Sequence, residues 1–362
     1  MIYGDQAATS YPKPKCVQEA VIEAMNIAGN PGRSNDLSAS RLIFKTRKVL
    51  KDYFHAPKKS CVIFNSGNTE SLNTAIKGLC KNGDHVITTY AEHNSVLRPL
   101  YELEDANVIE LSITSPNLQS MKQAIKENTR FIIMSHCSNV TGELFDVQSI
   151  GIWAKQHGIV LIVDCAQSAG HVMIDMEAWQ IDVLCFSGHK GLLGLAGVGG
   201  MIIKEELDMK PLKTGGTGIH SFDRRQSLAY PERLEAGTIN LCGIASLLAG
   251  IQYINQKPDM HKTWIKELHD LSKELETFEV YSNVDSIGIF AFNIKGVDAS
   301  KVSDILYHKY NIITRCGAHC APLMMKHLNQ DSLVRISLNH LNSEDDLKQI
   351  KFALMELNQE NL

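Results

Sequence analysis

One lysine follows a predicted buried strand and is the residue of this sequence best placed to do chemistry. Lys190 comes after the apolar run 182–186 and the residues Ser-Gly-His, and the glycine-rich segment GLLGLAGVGG follows it. Lysine is the side chain that forms a Schiff base with an aldehyde cofactor. A second apolar run, 159–163, ends at Asp164. A carboxylate there would keep a pyridinium nitrogen protonated, so the two residues indicate pyridoxal 5′-phosphate. A salt-bridged pair without a cofactor is the alternative.

A second pattern suits the phosphate of such a cofactor. The short strand predicted over 61–64 leads through Ser66-Gly67 into an amphipathic helix that extends to about residue 80. The start of a helix presents unpaired backbone N–H groups and a positive dipole end, which together bind anions. The turn therefore predicts a phosphate site, although an ordinary helix cap would show the same pattern.

The overall composition is typical of an enzyme that acts on small molecules. The 362 residues are 44% hydrophobic and 21% charged, and the formal net charge is −4. This balance gives no basic footprint for nucleic acid. No apolar run approaches the ~18 residues of a membrane span, and the first residues lack the pattern of a secretory signal. We therefore expect neither a nucleic-acid nor a membrane partner.

The nine cysteines are odd in number and show no CxxC pair. No disulfide framework is indicated, so a reducing compartment and a cytoplasmic location are expected. His189 and His319 lie near cysteines but are too isolated to form a zinc site, and no metal is predicted.

Short apolar runs alternate with helix-length segments through residues 16–250. The strands predicted there are 61–64, 85–88, 108–111, 131–134, 159–163, 182–186 and 199–203. The alternation indicates an α/β fold whose large domain has a mainly parallel sheet covered by helices on both faces. Such sheets bind ligands at their carboxyl edge. The candidate residues that follow strand ends are Asn68, His93, Asn139, Asp164 and Lys190.

The rest of the chain is predicted to form a smaller C-terminal α+β domain, 251–362, joined by residues 1–15. Its predicted helices are 261–276, 299–310 and 343–357, and its predicted strands are 278–281, 287–294, 311–315 and 333–338. In the large domain, a loop is predicted over 29–36. Residues 204–240 contain no convincing strand, which suggests a long loop over the site or across a subunit boundary.

Nine ordered motifs carry a resemblance to a known family. They are DQAATSYPKP, SGNTE, AEHNSVLRP, SNVTG, DCAQSAGH, FSGHKGLLG, EAGTIN, RCGAHCAP and RISLNHLNSEDDL. Over nearly its whole length the chain resembles class V aminotransferase-like proteins of fold-type I, and within them the cysteine desulfurase and selenocysteine lyase branch. The resemblance implies a pyridoxal-phosphate enzyme and homodimer that converts L-cysteine to L-alanine. The sulfur would pass to an enzyme cysteine as a persulfide.

The resemblance implies a cofactor role for each matching residue. Lys190 would carry the cofactor and move the α-proton, and Asp164 would pair with the pyridine nitrogen. Gln167 would lie near the ring hydroxyl, and His93 would stack on the ring. The implied phosphate ligands are Asn68, Thr69, Ser187 and His189, with Thr238 of the partner subunit.

The resemblance also implies the residues that act on the substrate. Asn139 and Arg335 would hold its carboxylate, with Arg315 close by, because the guanidinium fork of arginine matches a carboxylate. Cys320 would accept the sulfur. Its turn-prone loop contains His319, beside which a thiolate could form, whereas a buried thiol would be inert.

Other assignments have structural alternatives. His93 could cap a helix, Arg335 could pair with the acidic run that follows it, and Thr238 could close a turn after Gly237. For the whole chain, the alternatives are a selenocysteine lyase with the same residues, a transaminase or other lyase in which Cys320 is incidental, and a non-enzymatic scaffold.

Three positions depart from the family pattern. Asp36 and Ala318 each stand where the family often has histidine, and Cys316 adds a second thiol that could relay sulfur or merely pack. The loop around Cys320 is short. A short loop reaches less far, so a separate protein acceptor of sulfur is expected.

Overall fold

The computed structural model describes residues 1–28, 35–219, 221–256 and 261–359. The loop predicted over 29–36 lies outside the described residues except for its last two positions. The helices and strands, numbered in chain order, are β1 (Ile2–Tyr3), α1 (Lys15–Met25), α2 (Ser38–Tyr53), β2 (Ser60–Asn65), α3 (Asn68–Leu79), β3 (Asp84–Thr89), α4 (Asn94–Asp105), β4 (Ile109–Thr114), α5 (Leu118–Ala124), β5 (Thr129–Ser135), α6 (Val147–Gln156), β6 (Val160–Asp164), β7 (Val183–Ser187), β8 (Gly199–Lys204), α7 (Leu241–Ile254), α8 (His261–Ser272), β9 (Phe278–Val280), β10 (Ile289–Ile294), α9 (Ala299–Tyr310), β11 (Ile312–Ile313), β12 (Arg315–Gly317), α10 (Pro322–His327), β13 (Leu333–Ser337) and α11 (Glu344–Gln359).

The chain divides into two compact units. The large unit contains Lys13–His136 and Phe145–Asn255, and the small unit contains Met1–Pro12, Cys137–Leu144 and Gln256–Leu362. The sequence analysis placed the boundaries at 15/16 and 250/251 and kept 137–144 in the large domain. That segment belongs to the small unit because Gly142 accepts a hydrogen bond from the backbone of Ile287, at 3.0 Å. Gly142 has a φ of +70°, and a Cβ there would lie 2.8 Å from Ser286 Cβ.

The large unit is built on a seven-stranded sheet with the order β2-β8-β7-β6-β5-β3-β4. Strands β3 to β7 pair in parallel, while β8 runs antiparallel to both β2 and β7. The predicted α/β class with a mainly parallel sheet is therefore confirmed. The central strands are near-continuous apolar runs, since a parallel sheet flanked by helices is buried on both faces. All five residues of β7 are buried.

The small unit contains a four-stranded antiparallel sheet with the order β12-β13-β10-β9. The N-terminal strand β1 pairs in parallel with β11, so that Ile2 lies opposite Ile312. Its core is formed by apolar residues of the sheet and of helices α8, α9 and α11, among them Phe290, Phe292 and Val302. Residues 1–12 thus fold with the C-terminal segment.

Two features of the small unit differ from the sequence prediction. The strand predicted over 311–315 is divided into β11 and β12, which pair with different partners, β1 and β13. The short helix α10 was not predicted; it begins at Pro322, a residue suited to a first helical turn. In the stretch 204–240, the described residues after Lys204 form no helix or strand. Within the described parts of the chain, no helix is long and apolar enough to span a membrane.

Candidate active site

A buried carboxylate lies at the carboxyl edge of the large unit's sheet. Asp164 ends β6 and is 5% exposed. Its Oδ1 accepts hydrogen bonds from Asn68 Nδ2 and from the backbone N–H of Ala166, both at 2.8 Å. Burial raises the pKa of Asp164, while the Ala166 hydrogen bond and the positive charge of Lys190 oppose that shift. Lys190 is therefore close enough for its charge to act on Asp164, while the predicted use of the two residues by a cofactor stays a prediction.

Asn68 joins this carboxylate to the start of helix α3. Gly67 is the N-cap of α3, and no side chain caps the helix there. A Cβ added to Gly67 would meet no atom within 4 Å, so the space in front of the helix start is open. Asn68 Oδ1 is buried and has no hydrogen-bond partner among the described residues. The helix start therefore offers an acceptor, open space and the positive end of a helix dipole.

The lysine lies in a tightly packed turn after β7. Ser187, the last residue of β7, is buried, and Lys190 is half-buried. The following residue, Gly191, packs against the chain after β6: a Cβ there would lie 2.2 Å from Ala169 O. Gly170, with a φ of +92°, is equally close to Gly191. Only glycines allow this approach, which fixes the turn that carries Lys190 against the turn that follows Asp164.

A second lysine contacts the same turn and was not predicted from the sequence. Lys13 Nζ donates to the backbone oxygen of His189 at 3.2 Å. Burial lowers the pKa of Lys13 to about 8. Burial, together with the charges of Lys190 and Lys13, lowers the pKa of His189 to about 4, so its ring is neutral at physiological pH. The only sequence signal for Lys13 was its place in the YPKP motif.

His93 caps helix α4, as its structural alternative proposed. The ring Nδ1 of His93 accepts the backbone N–H of Ser95 at 3.1 Å, and Ser95 Oγ lies 2.9 Å from the same atom. Thr69 Oγ1 lies 2.8 Å from Ser95 Oγ. Ser95, which the sequence analysis did not single out, thus links His93 to the start of α3. The hydrogen bond to Nδ1 fixes the orientation of the ring. Stacking of the ring face on a cofactor ring stays a prediction.

Glu92 is a buried acid that the sequence analysis did not single out. Its carboxyl accepts hydrogen bonds from Thr89 Oγ1 at 2.6 Å and from the backbone N–H and Oγ of Ser135 at 3.0 and 2.8 Å. It therefore ties the end of β3 to the end of β5. Burial, together with the charge of Asp164, raises the pKa of Glu92 to about 7. The sequence feature that could have drawn attention to Glu92 is its position directly before the candidate residue His93.

Two further predicted cofactor residues occupy different surroundings. Gln167 is buried in the turn after β6. Thr238 is exposed and lines a cavity of about 170 Å³ together with Ser66 and Glu70. The loop before Thr238 is anchored by buried Glu235, which accepts the N–H of Phe64 at 2.8 Å.

In the small unit, Arg335 is buried and paired with the N-terminal segment. It is 2% exposed, and its Nη2 donates to Asp5 Oδ1 at 2.8 Å while Nη1 donates to the backbone oxygen of Asn139 at 2.7 Å. The acidic run after Arg335, proposed as its structural partner, is not its partner. Its Nε is buried without a hydrogen-bond partner in the described chain. Arg315 lies directly opposite on β12. Two arginines side by side favour binding of an anion.

The predicted nucleophile lies in the same unit, in a strained turn. Cys320 is exposed, whereas Cys316 is partly buried against the unit's core. His319 and Cys320 have φ values of +50° and +57°. Such conformations cost a non-glycine residue about 1–3 kcal/mol each and tend to occur at functional sites. The His319 side chain is buried, with Nε2 3.1 Å from Leu333 O. The two neighbouring side chains therefore differ in exposure, since Cys320 is exposed to solvent.

No group of three or more histidine, cysteine or acidic side chains among the described residues could hold a metal ion.

Comparison with known proteins identifies the family. A model of the family described as Aminotransferase class-V matches residues 2–350. This chain belongs to that family. The resemblance inferred from the nine motifs is confirmed.

Several relatives within the family are described as cysteine desulfurases. A probable cysteine desulfurase of Methanothermobacter thermautotrophicus is 32% identical, with 98% of this chain and 94% of the relative covered. The cysteine desulfurase CsdA of Escherichia coli is 30% identical, with coverages of 96% and 91%. The apo structure of a cysteine desulfurase from Thermococcus onnurineus gives a TM-score of 0.90 at 31% identity, with coverages of 99% and 94%. The chain is similar to each of these proteins over nearly its whole length.

Proposed function

We propose that the chain is a pyridoxal-phosphate-dependent cysteine desulfurase. The observation that carries the proposal is an exposed Cys320 thiol in a strained turn, in a family member whose relatives have that name. A transaminase has no need of such a thiol. L-Cysteine is the proposed substrate, L-alanine the product, and Cys320 the sulfur acceptor.

The residues of the large unit fit the cofactor. Asp164 is a buried carboxylate suited to a pyridinium nitrogen, and Lys190 supplies the amine that binds an aldehyde. The open helix start at Gly67, with the unpaired Asn68 Oδ1 beside it, fits a phosphorylated ligand whose ring hydroxyl or amine could donate a hydrogen bond. We assign Thr69, Ser187 and His189 to the phosphate, His93 to the ring face and Gln167 to the ring hydroxyl.

The roles proposed for the protein residues are those that the family resemblance implies. When bound, pyridoxal phosphate supplies the electron sink that stabilises negative charge at the substrate Cα. Lys190 Nζ takes the α-proton, while Arg335 and Asn139, with Arg315, hold the substrate carboxylate.

Cys320 performs the sulfur transfer. Its thiolate attacks the substrate sulfur, a new S–S bond forms, and the Cβ–S bond breaks with its electron pair left on carbon. Protonation of that carbon completes alanine, so that cysteine and the enzyme thiol become alanine and a persulfide. An outside protein would then take the sulfur, because the loop is short.

A homodimer and a cytoplasmic location belong to the same proposal. Thr238 is exposed after an anchored Glu235, a placement that supports its use by a second copy of the chain. None of the nine cysteines forms a disulfide, which fits a reducing compartment.

The test is incubation with L-cysteine, with alanine, sulfide and protein-bound persulfide measured together. Cys320→Ser should lower alanine and sulfide formation by about a thousandfold, because a hydroxyl is a poor nucleophile toward sulfur. Cys16→Ser, at another exposed thiol, is the matched control and should leave both rates unchanged. Pyruvate in place of alanine, or full activity of Cys320→Ser, would overturn the proposal. Comparing the turnover of L-cysteine with that of L-selenocysteine distinguishes a cysteine desulfurase from a selenocysteine lyase.

A further inference from the structure

The turn that carries Cys320 has an unfavourable backbone. Ala321 N–H donates to Ala318 O at 3.1 Å, which closes a four-residue turn. Both central residues, His319 and Cys320, have positive φ, as in the turns that glycine and asparagine normally occupy. Every residue with a Cβ disfavours this conformation, although histidine adopts it more often than cysteine does. Surrounding contacts must therefore hold the turn.

His319 supplies those contacts. Its side chain is 4% exposed, while the next residue is exposed. Its Nε2 lies 3.1 Å from the backbone oxygen of Leu333 on β13, and its own backbone oxygen accepts Asn139 Nδ2 at 2.7 Å. One end of the turn is thus tied to the sheet and to the segment 137–144, both within the small unit.

The ring of His319 is neutral. Because Leu333 O is an acceptor, Nε2 must carry the hydrogen. Nδ1 is buried and has no hydrogen-bond partner among the described residues. Burial, together with the charge of Arg335, lowers the pKa of His319 to about 3. The ring therefore lies beside Cys320 in sequence, as noted from the motif, but it carries no positive charge that would stabilise a thiolate.

We propose that His319 is a positioning residue, a neutral anchor that holds the Ala318–Ala321 turn and presents the Cys320 thiol without transferring a proton. The effect of His319 on sulfur transfer rests on the proposed function, whereas its anchoring of the turn does not.

The test compares His319→Gln with His319→Ala. The Nε2 of glutamine can replace the ring Nε2 as donor to Leu333 O, but glutamine cannot act as an acid or base. His308→Gln and His308→Ala, at an exposed histidine of the same unit, are the matched controls. Hydrogen exchange at the Ala321 amide and alkylation of Cys320 by iodoacetamide against pH are read by peptide mass spectrometry, without substrate.

We expect exchange at Ala321 to become at least tenfold faster in His319→Ala and to stay within about threefold of wild type in His319→Gln. The pH of half-maximal alkylation should be the same in all variants. Unchanged exchange in His319→Ala would overturn the anchor. An upward shift of the alkylation midpoint in both His319 variants would show a charged imidazole and overturn it too. If His319→Ala does not fold, His319→Gln alone still tests the anchor. Exchange at Ala321 outside the threefold range, or a shifted alkylation midpoint, would overturn it.

Turnover of L-cysteine distinguishes this inference from the proposed function. His319→Ala should lower kcat about tenfold without changing KM, and His319→Gln should restore it. A loss as large in His319→Gln as in His319→Ala would overturn the positioning role. If the wild type forms neither alanine nor sulfide, the proposed function fails, while the exchange and alkylation results still test the anchor.

Discussion

The two regions that carry the candidate chemistry bury charges of opposite sign. At the strand edge of the large unit, the buried Asp164 carboxyl accepts hydrogen bonds from Asn68 and Ala166, and the charge of Lys190 favours its ionised form. In the small unit, the buried Arg335 guanidinium has Asp5. A buried charge is tolerated only when it is paired and hydrogen-bonded. Each unit therefore stabilises its buried charge with groups of its own.

The regions also differ in how they present a reacting atom. In the large unit, Lys190 is fixed by the close glycine contact between Gly170 and Gly191. In the small unit, the Cys320 thiol is exposed on a strained turn that a buried histidine holds. The proposed division of work explains the difference: a cofactor needs a rigid cradle, whereas a thiol that passes sulfur to another protein must be accessible.

The largest effect is expected at the lysine. Lys190→Ala should lower alanine formation by about ten thousandfold or more, since it removes both the cofactor amine and the proposed base. Lys190→Arg keeps the charge and should be equally inactive. After borohydride reduction, peptide mapping should place the pyridoxyl label on Lys190; a label on Lys13 would contradict the assignment. Alkylation of Cys320 should be unaffected, which would separate the two regions experimentally.

Removal of the counter-charge of Arg335 should have the next largest effect. Asp5→Asn leaves the guanidinium buried without its carboxylate, which should lower the free energy of unfolding by about 3 kcal/mol. Urea unfolding measures the change. Asp270→Asn breaks an exposed pair with Lys273 and should leave the unfolding midpoint unchanged. Equal midpoints for wild type and Asp5→Asn would show that the arginine needs no internal partner.

A substitution of Glu92 tests whether this buried acid at the strand edge is neutral in the folded chain. Its pKa is about 7 in the folded chain, against 4.5 for an unperturbed glutamate. The folded state therefore keeps a proton that the unfolded state loses, and stability falls as pH rises from about 4.5 to about 7. Glu92→Gln removes this dependence and keeps the hydrogen bonds.

Between pH 5 and pH 8, the unfolding free energy of Glu92→Gln relative to wild type should rise by roughly 2–3 kcal/mol. Urea titrations at both pH values measure it, with Glu127→Gln at an exposed position as the control. A pH-independent difference would mean that Glu92 is ionised in the folded chain.

The smallest effect is expected at the proposed subunit contact. Thr238→Ala should release pyridoxal phosphate about tenfold more readily, through loss of one hydrogen bond to a charged phosphate. Cofactor retention during dialysis is the measurement, and Thr214→Ala in the same loop is the control. A wild-type chain that sediments as a monomer and still holds the cofactor tightly would show that the cradle is complete within one copy.

Local sequence patterns were sufficient to predict the elements of the large unit. The predicted strands 159–163 and 182–186 correspond to β6 and β7. Their apolar runs are continuous because both faces are buried, and the crossover rule makes such strands parallel. The reversed direction of β8 was not predictable in this way, since an apolar run has no direction.

The charged partners were decided only by the tertiary structure. Asp5 and Arg335 are 330 positions apart, and no local pattern joins them. The acidic run that follows Arg335 in sequence was the nearer candidate and is not its partner.

The sequence by itself determined the family, the order of strands and helices along the chain, and the types of residue available for chemistry, because those depend on local pattern and motif order. The tertiary structure decided what each residue can do. His319 lies beside Cys320 in sequence, but its ring is buried against Leu333 and stays neutral, because burial penalises the charged form of an imidazole. The burial of a side chain and the identity of its partners depend on how distant segments pack, so a short motif does not predict them.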